Sequence, residues 1–268
     1  MADGLPSCRI VIPARFASTR YPGKPLARLR GADGTGRTLI ERSWLAARAA
    51  APGLPVTVAT DDRRIVEEVE RFGGTAVMTP PECRNGTERC AAVLADLANP
   101  EEVIINLQGD APLTPVDVVR QLHAAMRDPA IEVATPAVAA TAETQAHLRQ
   151  DRQAGRVGGT TAVFDRAGRA LYFSKEVLPF VPANAQADTP VYLHLGVYAY
   201  RREALLRYAA CEPEALELSE GLEQLRFLAY GTPVRVVVCP APAGTMAELN
   251  NPEDVPVIEA ELRRRGWN

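Results

Sequence analysis

The sequence predicts an α/β fold with a mostly parallel sheet, helices on both faces and a smaller inserted β-containing lobe. Short β-branched runs alternate with longer segments in which apolar residues recur every three or four positions. This alternation is typical of parallel strands joined by crossover helices. In addition, 47% of the 268 residues are hydrophobic. A substantial core is therefore possible, and global disorder is excluded.

The first half of the chain alternates most regularly. The predicted elements are a strand at 8–12, a helix at 38–50, a strand at 55–59, a helix at 62–72, a strand at 75–78, a helix at 87–97 and a strand at 102–107. Thr60, Asp61 and Asp62 offer an N-cap and early negative charge to the second of these helices. Gly73 and Gly74 follow its end, where glycine commonly terminates a helix.

The second half is less regular, and the inserted lobe is expected there. Strands are predicted at 133–138, 160–164, 192–201 and 234–238, and helices at 202–208, 219–230 and 252–264. The segment 178–190 is rich in Pro, Ala, Asn and Gln, which favours a surface loop. Because no change in composition demands two domains, we expect one domain over residues 1–268, with the lobe at about 130–200.

Composition excludes several classes of function. Thirty basic and 33 acidic side chains give a net charge of −3, whereas general nucleic-acid and membrane-surface binders carry a basic excess. No apolar stretch approaches the roughly 18 residues of a membrane span, and the amino terminus lacks a signal-peptide pattern. The five cysteines include no C-x-x-C pair and predict neither a disulfide framework nor a zinc site. We therefore expect a cytoplasmic protein that binds neither nucleic acid nor membranes.

A basic, turn-rich loop follows the first predicted strand and contains Arg15, Arg20 and Lys24 beside Ser18 and Gly23. In open α/β sheets ligands bind beyond the carboxyl ends of the strands, which is where this loop is expected. Three cations beside small donors suit a triphosphate and its pyrophosphate leaving group. The loop matches neither G-x-G-x-x-G nor a Walker sequence, and an ordinary solvated basic loop is the alternative.

Asp110 follows the fourth predicted strand, just as the basic loop follows the first. An aspartate at the end of a buried parallel strand is well placed to bind Mg²⁺ that bridges phosphates. The signal is weak alone, because Asp and Pro also form turns. Its combination with the basic loop favours the metal site. Lys24 attracts attention for a second reason, since it and Lys175 are the only lysines among 30 basic residues.

Eight segments of the sequence extend the argument over nearly the whole chain. They are IPARFASTRYPGKPLA at 12–27, VATDD at 58–62, NGTERCAAV at 85–93, NLQGDAP at 106–112, ALYFSK at 170–175, HLGVYAYR at 194–201, LEQLR at 222–226 and NPEDV at 251–255. In this order they resemble the 3-deoxy-manno-octulosonate (Kdo) cytidylyltransferases, or CMP-Kdo synthetases. The resemblance implies a Rossmann-like nucleotidyltransferase fold, CTP as donor, Mg²⁺ as cofactor, pyrophosphate release and usually a homodimer. It also implies direct attack of an acceptor oxygen on the α-phosphorus of CTP, without a covalent nucleophile.

The resemblance also implies roles for individual residues. Catalysis would depend on Arg15, Lys24 and Asp110, and the metal would be held by Asp110 and Asn250. The nucleotide-binding residues would be Ala14, Arg15, Ser18, Thr19, Arg20, Lys24, Asn85, Gly86, Thr87, Arg89 and Gln108. The acceptor-binding residues would be Gln108, Lys175, His194, Tyr198, Glu220, Glu223 and Gln224. The alternatives are a core histidine for His194 and a solvated helix face for Glu223 and Gln224.

Three positions depart from the family's pattern in the acceptor half. Asn250 stands where the family has a metal-binding aspartate, Thr161 where it has a lysine, and Lys175 where it has an arginine. The loop before Asn250 is longer and contains Glu248, an alternative metal ligand. We therefore expect CMP transfer to a small acid other than Kdo, for example a phosphonate such as phosphonoformate. The alternatives are a true CMP-Kdo synthetase and a catalytically silent CTP-binding regulatory relative.

Overall fold

The computed structural model of the protein describes residues 4–18, 20–97, 101–181, 190–242, 244 and 246–268. The strands in these residues are β1 (Cys8–Ala14), β2 (Arg28–Arg30), β3 (Gly36–Thr38), β4 (Val56–Thr60), β5 (Thr75–Met78), β6 (Val103–Leu107), β7 (Val133–Ala139), β8 (Thr161–Phe164), β9 (Ala170–Ser174), β10 (Tyr192–His194), β11 (Val197–Arg201) and β12 (Val234–Cys239). The helices are α1 (Leu39–Ala50), α2 (Arg63–Arg71), α3 (Gly86–Val93), α4 (Val116–Ala125), α5 (Ala142–Gln153), α6 (Arg202–Ala210), α7 (Ala215–Glu220), α8 (Leu225–Ala229) and α9 (Val255–Arg265).

One large sheet organises the described residues. Its ten strands follow the order β5-β4-β1-β6-β11-β7-β10-β8-β9, with β12 beside β7. β5, β4, β1 and β6 are parallel to one another, and so are β7 and β12. β11 runs antiparallel between β6 and β7, and β10, β8 and β9 continue as antiparallel neighbours. Most strands therefore share one direction, and the predicted α/β class is confirmed.

The two faces of the sheet are covered by different helices. Along β1, Ile10 and Ile12 belong to a buried cluster that also contains apolar residues of α1, α2 and α4. Val11, which points to the opposite face, belongs to a second cluster with residues of α3 and α6. β4 and β6 are buried along their whole length, as parallel strands covered on both faces are. The core therefore lies on both sides of the strands whose carboxyl ends form the site.

Helix caps fix where the chain enters α2 and α3. The side chain of Asp62 accepts a hydrogen bond from the Arg64 N–H at 2.9 Å and caps α2, as the sequence predicts. The side chain of Asn85 accepts from the Glu88 N–H at 2.9 Å and caps α3. Both caps lie beyond the carboxyl ends of parallel strands, beside the basic loop.

Some elements differ from the sequence prediction. β2, β3, β9, α4 and α5 were not predicted; α5 in particular is strongly polar and buries only Leu148 and Asp151, so its periodicity is weak. The single strand predicted at 192–201 is two strands, because the chain changes sheet neighbours between β10 and β11. The helix predicted at 219–230 is interrupted by Gly221, whose φ of 61° ends α7.

Two predictions are not decided here. Most of the predicted loop at 178–190 lies outside the described residues, and the single domain with its inserted lobe stays a prediction. No helix in the described ranges is long and apolar enough to cross a membrane.

Candidate active site

Two adjoining cavities lie at the edge of the sheet where the parallel strands β1 and β6 have their carboxyl ends. The first, called here the basic cavity, has a volume of about 630 Å³ and is lined by the loop after β1, the start of α3 and the segment after β6. The second, called the neutral cavity, has a volume of about 440 Å³ and is lined by residues 111, 114–115, 158–160, 193–198, 246–248 and 250 among others. Asn250 lines both, and Asp110 and Ala111 lie on opposite sides of the boundary.

The loop after β1 closes on itself. The Gly23 N–H donates to the Phe16 carbonyl at 3.0 Å, and Gly23 adopts a left-handed φ of 71°, which favours glycine. The closed loop places Arg15, Arg20 and Lys24 on the wall of the basic cavity. Ala14 and Ser18 also line this cavity, and the Ser18 hydroxyl accepts from the Tyr21 N–H at 3.4 Å. Thr19 lies outside the described residues.

Asp110 is brought to the loop by a close backbone approach. A Cβ at Gly109 would lie 2.7 Å from the Pro13 carbonyl oxygen, so β1 and the segment after β6 meet here without a side chain between them. The Ser43 hydroxyl donates to the Gly109 carbonyl at 2.9 Å and holds this turn from α1. As a result Lys24 Nζ lies 2.6 Å from Asp110 Oδ2 and 3.0 Å from the Leu249 carbonyl.

The surroundings of Asp110 fit a hard divalent cation. Glu248 lines the neutral cavity and is exposed to solvent. Partial desolvation in the cavity, and then the negative charge of Asp110, raise its pKa above the usual value of a glutamate. The Asn250 amide oxygen accepts from Arg20 at 2.8 Å. Carboxylate and amide oxygens are ligands that Mg²⁺ prefers. Since the described residues contain no group of three or more His, Cys, Asp or Glu side chains placed to hold a metal ion, phosphates and water would have to complete its coordination.

The start of α3 supports the basic cavity. Asn85 and Gly86 line it, and a Cβ at Gly86 would lie 3.2 Å from Gln108 Nε2, so helix and strand pack closely. Thr87 is fully buried. Its N–H donates to Glu223 Oε2 at 2.9 Å, and its hydroxyl lies 2.8 Å from the Tyr200 hydroxyl. Thr87 therefore holds the side chains of Glu223 and Tyr200 in place from within the core.

Gln108 is held by residues that the sequence analysis missed. Its Nε2 donates to Asn106 Oδ1 at 3.3 Å, and Asn106 Nδ2 in turn contacts the Tyr200 hydroxyl at 3.3 Å. Asn106 and Tyr200 are fully buried. The available signal was a lone asparagine in the otherwise apolar strand β6, because a buried amide is costly unless it has partners.

The neutral cavity contains a histidine whose protonation can be assigned. The Thr135 hydroxyl donates its one proton to the Val197 carbonyl at 2.8 Å, so it accepts from His194 Nε2, which lies 2.8 Å away. Burial lowers the pKa of His194 to about 3. The ring is therefore neutral, with the proton on Nε2 and a lone pair on Nδ1, which accepts no hydrogen bond from any of the described residues.

Gln224 lines the same cavity and has an amide group that is only half satisfied. Its Oε1 accepts from the Tyr198 hydroxyl at 3.1 Å, while its buried Nε2 has no hydrogen-bond partner among the described residues. A buried amide left with a free N–H is costly unless a ligand or water uses it. Gln224 and Tyr198 line the neutral cavity together with His194, so these three predicted acceptor residues are brought together.

The other predicted acceptor residues lie elsewhere. Glu223 lines the basic cavity, and burial raises its pKa. Glu220 accepts from the Ser174 hydroxyl at 2.6 Å and from the Lys175 N–H at 2.9 Å. The ammonium of Lys175 lies against Gly221, where a Cβ would be only 2.9 Å from Nζ. Glu220 and Lys175 are thus fixed at the edge of the basic cavity.

Comparison with known proteins adds an independent finding. A family model described as Cytidylyltransferase matches residues 9–236. The chain is 45% identical to the 3-deoxy-manno-octulosonate cytidylyltransferase of Maricaulis maris, over 96% of this chain and 97% of that protein. Identity to the protein of the same name from Chlamydia pneumoniae is 42%, over 94% of this chain and 92% of the relative.

Solved structures give the same result. CMP:2-keto-3-deoxy-manno-octonic acid synthetase, in complex with CTP, matches with a TM-score of 0.82 at 33% identity and covers 96% of this chain and 99% of that one. The 4-diphosphocytidyl-2C-methyl-D-erythritol synthase of Anaerococcus prevotii matches with a TM-score of 0.58 at 15% identity, over 98% of this chain and 100% of that one. The second similarity is one of fold alone.

Proposed function

This chain belongs to the cytidylyltransferase family and is a CTP-dependent nucleotidyltransferase, and from that premise we propose that its acceptor is Kdo. The reaction would join the CMP of CTP to the sugar acid and release pyrophosphate. The silent regulatory relative is therefore not proposed. The homodimer and the cytoplasmic location that the resemblance implies stay predictions.

The basic cavity is the proposed site of CTP. Arg15, Arg20 and Lys24 line one side of it, where they would neutralise the triphosphate and the departing pyrophosphate. Mg²⁺ held by Asp110, with Asn250 or Glu248 as a second ligand, would supply further charge neutralisation on the phosphate oxygens. The part of these residues is positional and electrostatic, because phosphoryl-type transfer needs alignment and charge compensation more than covalent help.

The neutral cavity is the proposed site of the acceptor's hydroxylated part, and this observation carries the choice of acceptor. Gln224 and His194 both line it, and neither the Gln224 Nε2 nor the His194 Nδ1 has a hydrogen-bond partner among the described residues. A sugar hydroxyl, which both donates and accepts, can satisfy both groups. Among the described residues that line it there is no lysine or arginine. Such a pocket suits a polyol chain and offers little to a compact acid with several negative charges.

Two of the three departures from the family's pattern lie outside this pocket. Thr161 is buried and donates its hydroxyl proton to the Glu176 carbonyl at 2.7 Å, so it supports the backbone of the lobe. The Lys175 ammonium lies against Gly221, at the edge of the basic cavity. They give no specific support to an acceptor other than Kdo, which stays a prediction that an assay decides.

The assay is pyrophosphate release from CTP and Mg²⁺, with Kdo and phosphonoformate measured side by side. We expect kcat/KM to favour Kdo by a hundredfold or more, about 2.7 kcal/mol of transition-state discrimination. A preference for phosphonoformate would contradict the proposal and support the compact-acid prediction. Release with neither acid, from enzyme that binds CTP, would require a different acceptor.

A further inference from the structure

Arg89 lines the basic cavity but is deeply buried. Its side chain is 3% exposed. The guanidinium donates from NH2 to Asp61 Oδ2 at 2.9 Å and from NH1 to Thr79 Oγ1 at 2.6 Å. The Thr79 hydroxyl gives its own proton to the Thr60 carbonyl, at 3.1 Å, so it serves Arg89 as an acceptor. Two of the five N–H donors of the guanidinium are thus bound to groups that follow β4 and β5, so the protein itself fixes the position of this side chain.

Asp61 connects this ion pair to the basic loop. While Oδ2 holds Arg89, Oδ1 faces the Phe16 N–H at 3.4 Å. The Phe16 carbonyl accepts from the Gly23 N–H at 3.0 Å, which closes the loop. The ring of Phe16 lies against Gly23, where a Cβ would be 3.0 Å from the ring. The Arg64 guanidinium also contacts this ring, at 3.4 Å from its centroid. Phe16 is therefore both the first residue of the closed loop and its anchor.

The cations of the loop depend on this anchor for their position. Arg20 lies within the closed segment and Lys24 directly follows it, and both line the basic cavity. We propose that the Asp61–Arg89 ion pair is a positioning device for the triphosphate-binding loop, and that Arg89 acts through Asp61 without binding a phosphate. This inference rests on the proposed CTP site and assigns roles to two residues of it.

The turn between β8 and β9 supplies a matched control. Asp165 also accepts from an arginine, Arg169, at 2.7 Å, but it lines neither cavity. Calorimetry without acceptor would give the Kd of CTP and of CMP for the wild type, Asp61→Asn and Asp165→Asn. Asp61→Asn should weaken CTP binding tenfold or more and CMP binding less than twofold, because the misplaced loop mainly holds the outer phosphates. Asp165→Asn should leave both affinities within twofold, even where its melting temperature falls.

A double-variant cycle separates positioning from direct phosphate contact. If Arg89 acts through Asp61, then Arg89→Gln combined with Asp61→Asn weakens CTP binding no further than the larger single effect. Multiplicative losses would show an independent contact of Arg89 with CTP and overturn the inference. Arg89→Lys keeps the charge but cannot span both Asp61 and Thr79. This variant replaces Asp61→Asn in the test if Asp61→Asn does not fold. It should show the same selective loss of CTP affinity.

Three further outcomes are decisive. CTP affinity within twofold of wild type in folded Asp61→Asn, or in Arg89→Lys, overturns the inference. Equal losses of CTP and CMP affinity indicate general damage to the site and overturn it as well. A wild-type protein that does not bind CTP contradicts the proposed nucleotide site itself, so failure of the inference and failure of the proposed function are distinguished.

Discussion

The basic cavity and the neutral cavity share Asn250 but differ sharply in charge. Among the described residues, the basic cavity is lined by six basic and three acidic side chains, namely Arg15, Arg20, Lys24, Arg84, Arg89, Arg226, Asp110, Glu217 and Glu223. The neutral cavity has Glu248 and an uncharged His194, and the part of it that the structure describes has no lysine or arginine.

This difference indicates how one sheet edge separates two substrates. A polyanion is attracted to the cavity with excess positive charge, whereas a pocket of amide, hydroxyl and ring groups selects by hydrogen-bond pattern. Asp110 and Glu248 stand where the two cavities meet. The boundary therefore carries two carboxyl side chains, which are the ligands that a cation between the two substrates needs. Variants on each side of this boundary should have separable effects.

The largest effect is expected at the boundary itself. Asp110→Asn should lower kcat by at least a thousandfold without unfolding the protein, because the carboxylate serves the metal and not the core. Pyrophosphate release and circular dichroism measure the two properties. Asp117→Asn, on an exposed part of α4, is the control. Turnover near that of the wild type at saturating Mg²⁺ would refute the metal assignment.

The next largest effect concerns the basic cavity. Arg15→Ala and Lys24→Ala should each weaken CTP binding by about 1.5–3 kcal/mol, the usual range for hydrogen bonds to charged groups. The KM of the acceptor should stay within twofold. Arg28→Ala removes a cation that donates to the Gly36 carbonyl outside the cavity and provides the control for calorimetry. Unchanged CTP affinity in both variants would mean that the loop has another role.

A smaller effect is expected in the neutral cavity, where a substitution should weaken binding of the acceptor and leave binding of CTP unchanged. Gln224→Glu replaces the free amide donor with an acceptor, and it should raise the KM of the acceptor roughly tenfold, about 1.4 kcal/mol. The Kd of CTP should not change. Tyr198→Phe removes the hydroxyl that contacts Gln224 and should give a milder increase. If Gln224→Glu weakens CTP and acceptor equally, the two cavities are not separate sites.

The smallest effect concerns protonation in the neutral cavity. Burial lowers the pKa of His194 to about 3, so below about pH 6.5 the unfolded chain takes up a proton that the folded protein does not. The wild type should therefore lose roughly 1.3 kcal/mol more stability than His194→Gln between about pH 7 and pH 5.5. Urea unfolding at the two pH values measures this difference. Parallel losses in both proteins would mean that His194 titrates normally.

The sequence predicted the parts of the site that follow strand ends. Arg15, Lys24 and Asp110 are positioned by one rule, that loops after parallel strands meet at one edge, and this rule needs no knowledge of side-chain contacts. The Asp61–Arg89 pair was not predicted as a unit. The two residues are 28 positions apart, and their contact depends on how α3 packs across the end of β4.

The fold was likewise predictable where contacts are local. β4, α2 and β5 succeed one another as neighbours, and their strands pair directly. β11 is different, because it enters between β6 and β7 from far along the chain, and no local pattern specifies such a partner. The split between β10 and β11 follows from the same cause, since both segments are strand-forming and only their neighbours differ.

The most direct test of two separate sites is a crystal structure with Mg²⁺, CTP and an acceptor analogue that lacks the attacking hydroxyl. The account predicts the triphosphate against Arg15, Arg20 and Lys24, and acceptor hydroxyls within hydrogen-bond distance of Gln224 Nε2 and His194 Nδ1. Acceptor bound among the arginines of the basic cavity, with the neutral cavity empty, would contradict it.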